Sequence, residues 1–96
     1  MIRSFKDEAT SDFWHQRNTA KVRRIPANIH AVARRKLSII DAAVDLVDLS
    51  TPPGNRLEAL QGDLLGKHSI RINDQWRIVF KWKDGGAVEV EITDYH

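Results

Sequence analysis

With 96 residues, 42% of them hydrophobic, the chain has material for one domain spanning 1–96 and too little for two cores. It contains no cysteine, which excludes a disulfide scaffold, a Cys-ligated zinc or iron-sulfur site and thiol catalysis, and no stretch approaches the roughly 20 apolar residues of a transmembrane helix. The net charge of +2 is unevenly spread: residues 1–40 carry nine Lys/Arg against three Asp/Glu, residues 41–66 one against five, and residues 67–96 five against five. A basic first part fits a polyanionic partner and fits a solvated helix face equally well.

The opening MIRSFK, with Ile2 and Phe5, predicts a short edge strand, and it lacks the apolar core of a signal peptide. A soluble, cytoplasmic chain is therefore expected. Asp7 to Arg17 predicts a helix with Ala9, Phe13 and Trp14 on its apolar side, followed by a basic connector, RNTAKVRR, whose order the sequence leaves open. From Asn28 to Leu49 the apolar positions Ile29, Val32, Ala33, Leu37, Ile40, Ala43, Val44 and Val47 keep helical spacing. Asn28 is the expected cap, and STPPGN the expected stop. Arg34, Arg35 and Lys36 sit early on this helix and Asp41, Asp45 and Asp48 late, the reverse of what the helix dipole favours.

The last third changes period. His68, Ile70 and Ile72, then Trp76, Ile78, Phe80 and Trp82, then Val88, Val90 and Ile92 alternate with polar residues, which predicts a three-stranded antiparallel meander. Leu57 to Leu60 can add one short strand. The expected class is α+β, with two N-terminal helices packed on a mainly antiparallel sheet.

Parity then places side chains on the face away from the helices: Arg71, Arg77, Val79, Lys81, Glu89, Glu91, Thr93 and Tyr95. An odd turn at Asn73-Asp74-Gln75 sets Arg71 opposite Arg77. Matching Trp82 with Val88 sets Lys81 opposite Glu89, Val79 opposite Glu91 and Arg77 opposite Thr93. Like charges directly opposite cost up to about 1 kcal/mol, so the arginine pair calls for a carboxylate or an anionic ligand. Asp94, Tyr95 and His96 return to the same end of the sheet. Arginines, a phenol, an imidazole and a carboxylate together suit a phosphodiester: Arg holds phosphate, His moves a proton near neutral pH and Tyr stacks on a base. The same residues also have an ordinary reading, as a frayed terminus, a packing Tyr and surface ion pairs.

His15, His30 and His68 are scattered without metal-ligand spacing, and no phosphate-binding glycine pattern occurs, so neither metal nor cofactor is expected. His68, on the apolar face, reads as a satisfied core residue.

The segments MIRSF, RRKLSIIDAAVDLVDL, PPGNRLEALQGDLLGKHSIRINDQWRIVF and the terminal EITDYH, in that order, resemble the HigB-like toxins of the RelE/ParE superfamily. The resemblance implies a RelE-like fold and a ribosome-dependent mRNA endonuclease that cuts in the ribosomal A site without metal. It also implies partnership with a HigA-like antitoxin, through which alone operator DNA is contacted. Arg77 would be the main phosphate contact, His96 the proton-transfer group, Tyr95 a stacking or acid group and Asp94 an orienting one, with Arg71 added on parity grounds. Some members carry a His in the segment that here reads Leu57-Glu58-Ala59, and a Lys at the position of Gln61; either Glu58 acts as the base in place of that His or the change means weaker activity. Lys21, Arg23, Arg24, Arg34, Arg35 and Lys36 are candidate ribosomal RNA contacts, with the antitoxin or water as the other candidates. ParE-like relatives use the architecture against DNA gyrase without RNase activity, which leaves a non-catalytic binding inhibitor as the alternative.

Overall fold

A computed structural model describes residues 1–94; Tyr95 and His96 lie outside the described residues. Helix α1 spans Glu8–Trp14 and is capped by Asp7, whose carboxylate accepts the Thr10 N–H at 3.1 Å. Its buried side carries Ala9, Thr10, Asp12 and Phe13, and the Thr10 hydroxyl accepts the N–H of Ile92, tying the helix to the last strand. The connector is not formless: Ala20–Arg24 form a 3-10 turn pinned to α1 by ion pairs of Lys21 with Glu8 and of Arg24 with Asp7.

Helix α2 spans His30–Ala42, shorter than the spacing predicts at both ends. Asn28 does not cap it, since Asn28 lies inside a preceding 3-10 turn, Ala27–Ile29. At the other end Ala43 is extended, and a new 3-10 turn, Leu46–Ser50, begins behind a reciprocal cap. The Asp45 carboxylate accepts from the backbone of Asp48, while the Asp48 carboxylate accepts the N–H groups of Asp45 and Val44 at 3.0 Å each. Local carboxylate capping thus overrides apolar periodicity. Val44 and Val47, expected in the core, are 72% and 69% exposed, while Leu49 is fully buried. The dipole conflict largely dissolves, because Asp45 and Asp48 open a turn instead of closing a helix. Asp41 accepts the N–H of Ile2.

Strands β1 (Glu58–Ala59), β2 (His68–Arg71), β3 (Trp76–Lys83) and β4 (Gly86–Asp94) form one antiparallel sheet in sequential order. The opening segment reaches the free side of β4 through two isolated parallel bridges, Ile2 with Ala87 and Phe5 with Val90, and does not form a regular strand. Gly86 permits this approach: a Cβ there would stand 2.6 Å from Arg3 Nε. Ile70, Ile72, Ile78, Phe80, Ala87, Val90 and Ile92 meet Phe13, Ala33, Leu37, Ile40 and Leu49 in the core.

The expected register holds at one end of the sheet and slips at the other. Arg71 faces Arg77, Arg77 faces Thr93 and Val79 faces Glu91, as parity requires. Beyond a bulge between Val79 and Lys81, however, Lys81 faces Val88 and Trp82 faces Ala87. The cause is the tight turn at Asp84-Gly85, both at positive φ (51° and 77°), which fixes Lys83 against Gly86. One extra residue must then be absorbed, and Glu89 does so at φ 51°. Val88 consequently leaves the core set, Ala87 replaces it, and the Lys81–Glu89 ion pair survives at 2.9 Å. The face away from the helices is also less open than expected: Val79 is 1% exposed, and Ser69 is fully buried.

Candidate active site

Arg77 is the best-held cation on that face. Its Nε donates to Ser69 Oγ at 2.8 Å and its Nη2 to the Arg56 carbonyl at 2.8 Å, with Glu58 Oε1 3.7 Å from Nη2. Register explains the grouping: Glu58 faces Ser69 across β1 and β2, and Ser69 lies diagonal to Arg77 across β2 and β3. The side chain is only 15% exposed, so the guanidinium is fixed before any ligand arrives. Among the described residues nothing bonds its Nη1, which leaves that edge for an acceptor.

Arg71, directly opposite, is compensated by its own carboxylate, Asp74, in an ion pair at the turn. Asp94 faces Trp76 at the end of β4 and accepts from Gln75 Nε2 at 2.7 Å. The predicted return of the chain's end to the Arg71/Arg77 side therefore holds as far as Asp94. Tyr95 and His96 follow it in sequence, outside the described residues.

The remaining basic candidates separate into distinct environments. Lys36 is buried, not a surface contact: its ammonium donates to Asn55 Oδ1, and the Asn55 amide donates to the carbonyls of Leu49 and Thr51 at 3.2 Å each. Burial pushes the Lys36 ammonium below its usual range, and Arg35 and Arg71 push it further. Arg34 lies over the Phe13 ring, 4.3 Å from its centroid, and donates to the Phe13 carbonyl. Lys21 and Arg24 are ion-paired to α1 as described. Arg23 and Arg35 are exposed, and among the described residues neither has a hydrogen-bond or carboxylate partner.

His68 is half-buried and stacked on Phe80, but its Nδ1 has no partner among the described residues, so the expected satisfied histidine is not found. No group of three His, Asp or Glu among the described residues is arranged to hold a metal ion. Among the described residues, one cavity of about 290 Å³ is lined by Asn18, Thr19, Val22, Arg23, Ile25, Ala27 and His30, and another by residues of α1 and the 3-10 turn after it, both away from Arg71 and Arg77. Arg71 and Arg77 instead stand on the sheet face away from the helices, their side chains 30% and 15% exposed beside the buried Ser69 and Val79.

Two members of this site escape a reading of sequence alone. Ser69 carries a usable signal, since it shares strand parity with Arg71. Arg56 carries none, because its part depends on a loop carbonyl that only the folded chain brings to Arg77.

Two helices lie on one face of a four-stranded antiparallel sheet and Arg71 and Arg77 on the other, and solved structures share this fold. The Staphylococcus aureus YoeB–YefM complex matches with a TM-score of 0.61 at 18% identity, covering 100% of this chain and 98% of that one. The Staphylococcus aureus YoeB dimer matches at 0.58 and 22% identity, covering 99% and 94%. In sequence, the Vibrio cholerae protein named Toxin HigB-1 is 44% identical over 95 residues, 99% of this chain and 98% of that protein. The Proteus vulgaris protein named Endoribonuclease HigB is 31% identical over 96 residues, the whole of both. A family model described as the RelE-like toxin of the type II toxin–antitoxin system HigB matches residues 3–96, and the chain belongs to this family.

Proposed function

We propose that the chain is a ribosome-dependent mRNA endonuclease that cuts message in the ribosomal A site and is neutralised by a HigA-like antitoxin, with operator DNA contacted only through that antitoxin. The observation that carries this reading is Arg77, braced by Ser69 and Arg56 with its Nη1 unbonded among the described residues, beside Glu58 and on the sheet whose last strand runs to Asp94, after which the sequence continues Tyr95-His96. A relative bearing the name of an endoribonuclease supplies the substrate class.

The reaction needs no group beyond these side chains and the RNA itself. The 2′-oxygen attacks the adjacent phosphorus; the O2′–P bond forms as the P–O5′ bond breaks, leaving a 2′,3′-cyclic phosphate and a 5′-hydroxyl. Glu58 takes the 2′-hydroxyl proton and His96 delivers one to the departing O5′, with Asp94 orienting and Tyr95 stacking on a base. The Arg77 Nη1 edge meets the negative charge that builds on the non-bridging oxygens, and Arg71 exchanges Asp74 for an RNA phosphate. A pre-fixed donor of this kind is worth about 10²–10³ in rate.

Cleavage in a purified translation system tests the reading, with the unchanged chain set beside Arg77→Ala and His96→Ala variants shown to be folded. Cutting of ribosome-bound message alone, lost in both variants and stopped by a HigA-like antitoxin, is expected. Failure of replication with topoisomerase inhibited and no RNA cut would instead make the chain a ParE-like binding inhibitor.

A further inference from the structure

Arg56 is the residue of the site whose conformation is hardest to explain by folding alone. It follows the 3-10 turn Pro53–Asn55 and adopts left-handed backbone angles, φ 45° and ψ 58°. For a residue with a Cβ this costs roughly 1–2 kcal/mol, and Gly or Asn would sit there more comfortably. The conformation belongs to the loop that delivers the Arg56 carbonyl to Arg77 at 2.8 Å. That accounts for the backbone and leaves the side chain unexplained, because glycine would deliver the same carbonyl.

The Arg56 side chain is exposed, and among the described residues it has neither a hydrogen-bond partner nor a carboxylate within 4.0 Å. In this it differs from its neighbours on the site, since Arg71 has Asp74, and Arg77 has Ser69, the Arg56 carbonyl and Glu58. The carbonyl contact also fixes its position. A Cα lies about 2.4 Å from its own carbonyl oxygen, so the Arg56 Cα stands no more than about 5 Å from Arg77 Nη2. An arginine side chain rooted that close to Arg77, with no partner among the described residues, is long enough to span from there to a phosphate next to one held at Arg77.

We infer that Arg56 is a substrate-binding residue that holds an RNA phosphate adjacent to the one at Arg77, while its carbonyl positions Arg77. This rests on the RNA reading of the site, and the test keeps the two apart by measuring binding separately from cleavage. The probe is a single-stranded message on programmed ribosomes carrying a 2′-deoxy nucleotide at the cut site, which removes the attacking oxygen and makes binding independent of chemistry. Arg56→Gly keeps the carbonyl and suits the left-handed angles, so it removes the cation without disturbing Arg77. Arg56→Lys keeps a cation.

Expected is an affinity about tenfold weaker for Arg56→Gly, with the slope of log affinity against log salt shallower by about 1, and recovery of most of both in Arg56→Lys. On cleavable message the loss should appear in KM, with kcat changed much less, because Arg77 keeps its brace. Affinity and salt slope in Arg56→Gly equal to those of the unchanged chain overturn the inference, as does failure of the unchanged chain to bind the probe. If the unchanged chain binds but never cuts, the endonuclease reading falls, while a weakened Arg56→Gly still establishes the phosphate contact.

Discussion

The cations of the helical layer and those of the sheet face away from the helices carry the same charge and have different fates. On the helical side Lys21 and Arg24 close ion pairs with Glu8 and Asp7, Arg34 covers Phe13, and Lys36 is buried against Asn55. On the sheet side Arg77 is braced by Ser69 and the Arg56 carbonyl with its Nη1 unbonded among the described residues, and the Arg56 side chain has no described partner. Local charge density in the sequence, nine Lys/Arg against three Asp/Glu in residues 1–40, therefore overstates what residues 1–40 offer a polyanion. The electrically balanced last third holds the proposed phosphate site, because sheet parity sets Arg71 and Arg77 on one face.

Replacing Arg77 is the strongest way to break that contrast. Arg77→Ala should lower kcat for ribosome-bound message by about 10²–10³. A comparable loss from Arg34→Ala in a folded protein would erase the distinction between the two regions. Glu58→Gln comes next, with an expected fall of about 10² in single-turnover rate and little change in affinity for the uncleavable probe. A full rate in this variant assigns the base to another group and leaves Glu58 as only the outer partner of Arg77.

On the helical side the effects should appear in stability. Arg34→Ala removes a ring contact and a charged hydrogen bond, and should cost about 1 kcal/mol, read as a Tm lower by roughly 5 °C with cleavage by the folded fraction retained. Thr19→Val sharpens the same point through pH. The Thr19 hydroxyl chiefly, with Arg17 assisting and burial opposing, holds the Asp12 carboxyl below its ordinary 3.8. A depressed carboxylate stabilises the fold above that pH and loses its contribution as pH falls through the folded value, since the unfolded chain binds the proton more readily. Thr19→Val should therefore lower Tm at neutral pH and flatten its acid dependence; an unchanged acid limb would remove Asp12 from the explanation.

The smallest effects belong to Arg23 and Arg35, the exposed helical-side cations without described partners. Each change to Ala should weaken ribosome affinity only a few-fold and reduce the salt slope by about 1, with Tm unchanged. Equal losses from Lys21→Ala and Arg24→Ala would mean that ribosomal RNA opens their ion pairs, and that internal pairing does not separate the two regions.

Much of this was legible from residue spacing. Period-two alternation from His68 onward placed the meander, and parity set Arg71 against Arg77 and Arg77 against Thr93, because one face had to be apolar. Asp94 at the arginine end follows from the same counting. Spacing failed where a local polar contact outbids an apolar pattern: Asp45 and Asp48 end the run that Val44 and Val47 would continue, and the Asp84-Gly85 turn shifts the register that Glu89 must absorb.

The sequence by itself determined the α+β class, the family through its ordered segments, and the arginine pair, since these depend on periodicities and motifs written along the chain. Only the tertiary structure decided which cations are available. Burial of Lys36, the cover of Arg34 over Phe13 and the carbonyl of Arg56 on Arg77 join residues far apart in the chain. Whether a charge faces a ligand, a carboxylate or the core depends on those neighbours, and the protein interior binds or excludes a cation according to what surrounds it.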